Sequence, residues 1–376
     1  MPEAVRRRPG MYIGSIEQRG LHNLVLTVAE WSASGVLVHG GGRVDVTLTP
    51  DGGVCVADDG PGVPFAAATA GGAAEVIPLD EQLSHICDGA PARLRAALIA
   101  SGSWLCVAGA LSRRLTAEVR RDGVRWVQEY VRGTATAPPA PAGPLPAGSG
   151  SGTVIAFRPD PEIFTTTTEV AYDVLADRLR ELAFLNRTLT FSLTDGRLPG
   201  PPRADLFHFP AGVGGLVSFL DAEEDAAPDT ELVTVEAADP RMGGTVEAAL
   251  RWRGPGAGSE VIRSYANCHP TPEGGTHVAG LRDGLAAALT AYARAHRLPL
   301  PADGSVSGER IGAGLTAVVS VRLDHPEWEG ATHGRLGNTA VRPCVAEAVR
   351  DHLTGWLEAH PEQAAALTAR LTPDQG

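Results

Sequence analysis

The sequence contains no lysine: all 32 of its basic residues are arginine. Any permanent cation that meets a phosphate here must be a planar guanidinium, because no compact, flexible ammonium is available. Long apolar runs are missing as well, and none approaches the roughly 20 residues of a membrane span. The N-terminus, Met1-Pro2-Glu3-Ala4-Val5-Arg6-Arg7-Arg8, runs into Pro-Gly without an apolar signal core, so a cytoplasmic location with no membrane partner is expected. Cys55, Cys87, Cys106, Cys268 and Cys344 are scattered without C-x-x-C spacing, which indicates neither zinc nor a disulfide framework. A net charge of −12 argues against a clamp that grips DNA by bulk electrostatics, since phosphate neutralisation needs clustered cations.

What is present describes a globular chain. With 376 residues, 43% of them hydrophobic and 20% charged, it is long enough for two ordinary domains, each with its own core. Leu21, Leu24, Val25 and Val28 read as the apolar face of a helix that Gly35 interrupts. Val44, Val46 and Leu48 alternate with polar residues, turn at Pro50-Asp51-Gly52-Gly53, and resume at Val54 and Val56 as a hairpin. Asp122-Gly123 marks a second hairpin, Leu115–Arg121 with Val124–Val131. Residues 134–152 are rich in Ala, Pro, Gly and Ser and read as a surface loop. A strand at 153–157, a helix over 169–185 and a strand at 189–193 follow. Gly196 to Arg203 is a Gly/Pro-rich break, giving expected domains 1–200 and 201–376. Beyond it lie strands near 231–237, 244–252, 259–265 and 315–323, with helices over 278–295 and 339–358. Hairpins mixed with helices make both halves α+β layers.

Several motifs stand in order along this frame. Arg8-Pro9-Gly10-Met11-Tyr12-Ile13-Gly14 precedes Gly20-Leu21-His22, and Asp58-Asp59-Gly60-Pro61-Gly62 ends the first hairpin. Gly152-Thr153-Val154, Gly274-Gly275-Thr276-His277 and Gly330-Ala331-Thr332-His333-Gly334-Arg335-Leu336-Gly337-Asn338 come later. In this order and spacing, nearly the whole chain resembles the N-terminal ATPase-plus-transducer half of the DNA gyrase B family, and more broadly type II DNA topoisomerases. The resemblance implies an α+β architecture: a Bergerat-type (GHKL) α/β sandwich, then a transducer domain of ribosomal-protein-S5-like fold. In the family, ATP closes a dimer gate and the transducer reports nucleotide state to a DNA-cleaving region. That region, and the N-terminal arm swapped between protomers, are expected to be absent, so this chain alone is not expected to cut DNA.

The resemblance assigns roles residue by residue. Asp58 matches the family's adenine-reading aspartate; alone, Asp58-Asp59-Gly60 reads equally as a turn bonded to local backbone. Gly62 leaves room for the ring, Thr153 steadies the same edge, and Arg121 stands at the pocket mouth. The family's general base falls on Thr27, too weak a base to take a proton from water at neutral pH. Its magnesium-binding asparagine falls on Trp31, whose indole offers a donor but no hard oxygen. The glycine-rich lid corresponds to Ile99-Ala100-Ser101-Gly102-Ser103-Trp104, which keeps one glycine. The transducer's phosphate-contacting glutamine and lysine fall on Ala331 and His333. Glu30, three residues beyond Thr27 and rotated about 60° around the helix, is the surrogate base to be weighed. Gly274 and Gly275 permit a tight turn into a helix capped by Thr276, with His277 packing or joining the cap.

The leading expectation is a gyrase-B-like pseudo-ATPase, a binding or regulatory module that pairs with itself as a homodimer or with a topoisomerase subunit. Two alternatives stay open: a divergent ATP-binding component of an ATP-dependent topoisomerase, and a small-molecule binder using the adenine pocket. ATP or another adenine compound is the cofactor to be tested, magnesium is not expected, and no catalytic residue is assigned.

Overall fold

The computed structural model describes residues 2–65, 77–85, 105–145, 148, 150–224, 227–254, 258–298, 308–330 and 334–371. Two compact units divide the chain, Met1–Pro210 and Ala211–Gly376. The first runs α1 (Pro2–Arg7), α2 (Gly10–Ile13), α3 (Gln18–Leu37), β1 (Gly42–Leu48), β2 (Val54–Asp58), α4 (Leu79–Ser84), α5 (Leu105–Ala110), β3 (Ser112–Arg121), β4 (Val124–Val131), β5 (Thr134–Ala135), β6 (Ala140–Pro144), β7 (Gly152–Pro159), α6 (Tyr172–Leu185), β8 (Leu189–Asp195) and β9 (Arg203–Phe207).

Its strands form one sheet in the order β5-β4-β3-β7-β2-β1-β8-β9, with β6 beside β4. Pairing is antiparallel except between β1 and β8, which the α6 crossover makes parallel. The alternation in β1 and β2 sends Val44, Val46, Leu48, Val54 and Val56 into the core. Leu21, Leu24, Val25, Val28, Ala29, Ala33 and Val36 of α3 are buried, and the helix lies against β1 and β2. It passes through Gly35 to Leu37. An interior glycine costs about 1 kcal/mol against alanine, and burial of the apolar face outweighs that. The packing places one face of α3 over the end of β2, where Asp58 sits.

Two expectations in this unit are corrected. The stretch 134–152 is not all loop: β5 and β6 both pair with β4. Pro141 and Pro144 are compatible with β6 because it is an edge strand, where a missing N–H breaks no inner ladder. The Gly/Pro-rich break at 196–203 does not end the unit, because β9 beyond it pairs antiparallel with β8.

The second unit runs α7 (Gly212–Glu223), β10 (Val233–Asp239), β11 (Gly244–Trp252), β12 (Val261–Ala266), β13 (His269–Pro270), α8 (Thr276–Ala295), α9 (Gly308–Gly312), β14 (Leu315–Leu323), β15 (Trp328–Glu329), β16 (Arg335–Leu336), α10 (Val341–Ala359) and α11 (Pro361–Leu371). Its main sheet has the order β10-β11-β14-β12-β13. Val319 and Val321 of β14 share a core with Leu281, Leu285 and Leu289 of α8 and Val345 and Val349 of α10. The α+β class expected from the sequence holds in both units. Among the described residues, no helix is long and apolar enough to cross a membrane.

Candidate functional site

Asp58 ends β2 and is 8% exposed. Its Oδ1 accepts hydrogen bonds from the Gly60 backbone N–H at 3.0 Å and the Thr153 backbone N–H at 3.1 Å. The turn reading and the site reading are therefore compatible, since local backbone takes only one carboxylate oxygen. Burial pushes the Asp58 carboxyl up to about 6, while Thr153 and Gly60 N–H groups and the nearby Ser32 hydroxyl oppose that rise. Asp59's negative charge adds to it. The result is a poorly solvated carboxylate, a strong acceptor for any N–H that reaches it.

The neighbouring positions assemble around this group. Thr153, buried at the start of β7, uses Oγ1 to accept the Val63 N–H at 3.2 Å. Arg121 Nη1 donates to the Gly62 carbonyl at 3.1 Å, and its Nε donates to Asp122. Gly62 has φ +78°, and a Cβ there would stand 2.7 Å from the Arg120 carbonyl oxygen, so the strand geometry alone demands glycine. The structure thus brings Asp58, Gly62, Thr153 and Arg121 into one neighbourhood through the β2–β7–β3 pairing.

Along α3 the polar groups are committed elsewhere. Thr27 Oγ1 donates to the Asn23 carbonyl one turn back, at 2.7 Å. Trp31 Nε1–H donates to Gln82 Oε1 at 2.7 Å, and Gln82 Nε2 donates to the Ile77 carbonyl at 2.6 Å. That bridge ties α3 to α4 through a buried glutamine. Glu30 receives Arg178 Nη2 at 2.9 Å, with side chains only 8% and 11% exposed. Arg178 also meets Glu181 at 3.1 Å. Removing one partner of a buried ion pair leaves a charge uncompensated, at a cost of about 3 kcal/mol. Glu30→Gln is accordingly expected to lower the unfolding free energy by about that amount, read from urea denaturation; an unchanged midpoint refutes the structural role.

Four sequence expectations lie outside the described residues: Ala331, His333, Cys87 and the lid run from Ile99 to Trp104. Among the described residues, no group of three or more His, Cys, Asp or Glu could hold a metal ion. In the second unit, Thr276 does not cap α8. Gly275 holds the N-cap position with φ 134°, and Thr276 Oγ1 is buried without a hydrogen-bond partner among the described residues. The reason is close backbone approach, since a Cβ on Gly275 would lie 2.4 Å from the Leu336 carbonyl oxygen. His277 is fully buried, its Nε2 lies 3.0 Å from Thr271 Oγ1, and burial pushes its pKa down to about 4. It is a packed, neutral imidazole.

Sequence reasoning missed Gln82, the partner of Trp31, and Ser32, whose buried hydroxyl has no partner of ordinary hydrogen-bond geometry among the described residues. Only the helical period could have found Ser32, because it falls on the stripe of Val25, Val28 and Val36 that faces the core.

A family model for DNA gyrase B matches residues 212–375, close to the whole second unit. The DNA gyrase B protein of Streptomyces coelicolor is 36% identical, aligned over 96% of this chain and 54% of that protein. A novobiocin-resistant DNA gyrase B protein of Streptomyces niveus is 37% identical, again over 96% of this chain and 54% of its own length. The chain spans about half the length of the curated relatives it matches. Among solved structures, the 43K ATPase domain of Thermus thermophilus gyrase B, bound to an aminocoumarin, has a TM-score of 0.79 at 29% identity, covering 98% of this chain and 93% of that one. The topoisomerase IV ATP-binding domain of Francisella tularensis, bound to a small-molecule inhibitor, has a TM-score of 0.76 at 27% identity, covering 98% and 95%. By its motifs, its GHKL-type fold and these likenesses, the chain is similar over nearly its whole length to the N-terminal ATPase part of DNA gyrase B proteins.

Proposed function

We propose that this protein is a base-recognising member of the family that does not hydrolyse nucleotide, a binding or regulatory module acting with a second copy of itself or with a topoisomerase subunit. One observation carries the reading: where the polar groups of the site spend their hydrogen bonds. At the positions that match the family's base and metal ligand, Thr27 and Trp31 bond to Asn23 and Gln82. Glu30, the surrogate base, is paired with Arg178. At Asp58, by contrast, both backbone hydrogen bonds fall on Oδ1. A carboxylate oxygen turned toward a ligand can accept from the exocyclic amine of adenine, and a buried polar group left unpaired favours a partner that satisfies it.

Trp31, at the position that matches the family's metal ligand, offers no hard oxygen to magnesium, which prefers carboxylates and phosphate oxygens in octahedral array. The adenine end is therefore expected to bind without metal. Calorimetric titration of the full chain with adenosine, ADP and ATP, each with and without Mg²⁺, tests this. Adenosine is expected to bind with an affinity that magnesium does not change, and the phosphates are expected to add little. Tight binding that requires Mg-ATP overturns the reading in favour of an ATP-using topoisomerase component.

A second reading is a receptor for a planar small molecule. The Thermus thermophilus relative was solved with an aminocoumarin and the Francisella tularensis one with an inhibitor, which supports it. Trp31 adds an aromatic face suited to stacking. An aminocoumarin that competes with adenosine in the same titration is the outcome expected if both ligands share the Asp58 end.

A further inference from the structure

Asn23, Thr27 and Trp31 of α3 are half-buried and spaced by four residues, so they share one face of the helix. Gly35, the next position on that face, is exposed and has no side chain. The stripe ends level with the Asp58-Asp59-Gly60 turn, because a Cβ on Gly60 would lie 3.8 Å from Val36 Cγ2. Trp31 stands five residues before Val36, a rise of about 7.5 Å along the helix. A ligand held at Asp58 and extending along this stripe therefore meets the indole first.

The indole is tied in place. Its N–H donates to Gln82 Oε1 at 2.7 Å, and Gln82 Nε2 donates in turn to the Ile77 carbonyl at 2.6 Å. Gln82 is 6% exposed, with buried Leu79 and Leu83 beside it on α4. At six residues, α4 is too short to persist on its helical hydrogen bonds alone, so its seat depends on what holds it. On one side the Leu79 N–H donates to the Pro64 carbonyl at 2.8 Å and the Asp80 N–H to the Phe65 carbonyl at 3.4 Å. Those two residues follow Val63, whose N–H reaches Thr153 beside Asp58. On the other side stands Trp31. Backbone bonds thus pin α4 to the loop at the base end, and one side-chain bridge pins it to α3.

We propose that the Trp31–Gln82 bridge is a latch that seats α4 across this stripe and sets the length of ligand the Asp58 end accepts, admitting a nucleoside and turning away its phosphates. The latch rests on the adenine reading above and deepens it. Phosphate is excluded by an occupied space, and not only by the base and metal ligand that are missing. Gln82 is then a specificity residue that acts through Trp31.

Adenosine, ADP and ATP, titrated by calorimetry without magnesium into the full chain, Gln82→Leu and Trp31→Phe, provide the test. Gln82→Leu keeps bulk on α4 and breaks both bonds, while Trp31→Phe keeps an aromatic ring and removes the donor. Each variant is expected to raise the affinity of ADP relative to adenosine about tenfold. The double variant is expected to raise that ratio no further, because the two side chains act as one unit. A ratio that neither variant moves overturns the proposal, since a bridge that only supports the fold weakens all three ligands together. A double variant whose effect is the product of the two single effects overturns it as well. Hydrogen exchange of the empty protein gives an independent reading: amides of residues 79–84 are expected to exchange about tenfold faster in either variant, while β14 keeps its protection and so reports an intact fold. If adenosine does not bind the natural protein, the adenine reading fails on its own terms and exchange alone decides the latch, which unchanged protection at 79–84 overturns.

Discussion

Purified protein supplied with Mg-ATP is expected to release no phosphate above the uncatalysed rate. Phosphoryl transfer to water relies on positioning the nucleophile and stabilising charge on the transferring group. A positioned general base contributes about 10²–10⁴-fold, and metal coordination adds several kcal/mol of charge stabilisation. Thr27 can supply neither proton acceptance nor metal binding, and its hydroxyl is already donated to Asn23. Trp31 has no lone pair for a cation and is held by Gln82. Glu30 is chemically able to act as a base, yet its carboxylate is drawn to Arg178 on α6. Thr27→Glu alone is expected to stay inactive, because it replaces the base and leaves the metal ligand missing. Malachite-green detection of released phosphate checks all of this. Magnesium-dependent turnover in the natural protein, abolished in Glu30→Gln while the variant remains folded, would establish the surrogate base and end the pseudo-ATPase reading.

Much of the fold was legible because burial writes a period into the chain. Leu315–Leu323 reads as a strand and is β14, whose residues are nearly all buried. The Asp122-Gly123 turn reads as a hairpin, and β3 pairs with β4 across it. The failures share one cause, tertiary context overriding local preference. Residues 212–223 contain three glycines, which argue against a helix by propensity, yet α7 forms because Val213, Leu216, Val217 and Leu220 are buried against the sheet. The proline-bearing β6 survives only as an edge strand. At the site, residue types were legible and their commitments were not. Thr27 and Ser32 look equally polar in sequence, but one hydroxyl is spent on its own helix and the other is not. Gln82 lies far from Trp31 along the chain, and no local pattern connects them.

Asp58→Asn is expected to stabilise the protein and reverse its base preference at once. Burial holds the Asp58 carboxyl at about 6 against an ordinary value of 3.8. A carboxyl whose pKa rises on folding contributes stability that is complete below pH 3.8 and lost as pH rises through about 6. At neutral pH the folded state therefore carries a cost of up to about 3 kcal/mol for keeping this group ionised. A neutral amide removes that cost, so urea denaturation at pH 7 is expected to show a gain of up to about 3 kcal/mol that vanishes near pH 4. The amide has one orientation available: its oxygen must take the place of Oδ1, where the Gly60 and Thr153 N–H groups demand an acceptor. Its NH₂ then occupies the position of Oδ2 and faces the ligand as a donor. Adenosine, with an amine there, is expected to lose about 100-fold in affinity, and inosine, with a carbonyl, to gain over it. In the natural protein, adenosine affinity is expected to fall about tenfold per pH unit below pH 6, since a proton on Oδ2 presents a donor to a donor, while the variant shows no such fall. A variant that is destabilised at pH 7 and binds adenosine unchanged would place Asp58 in the turn alone, and would remove it from recognition of the base.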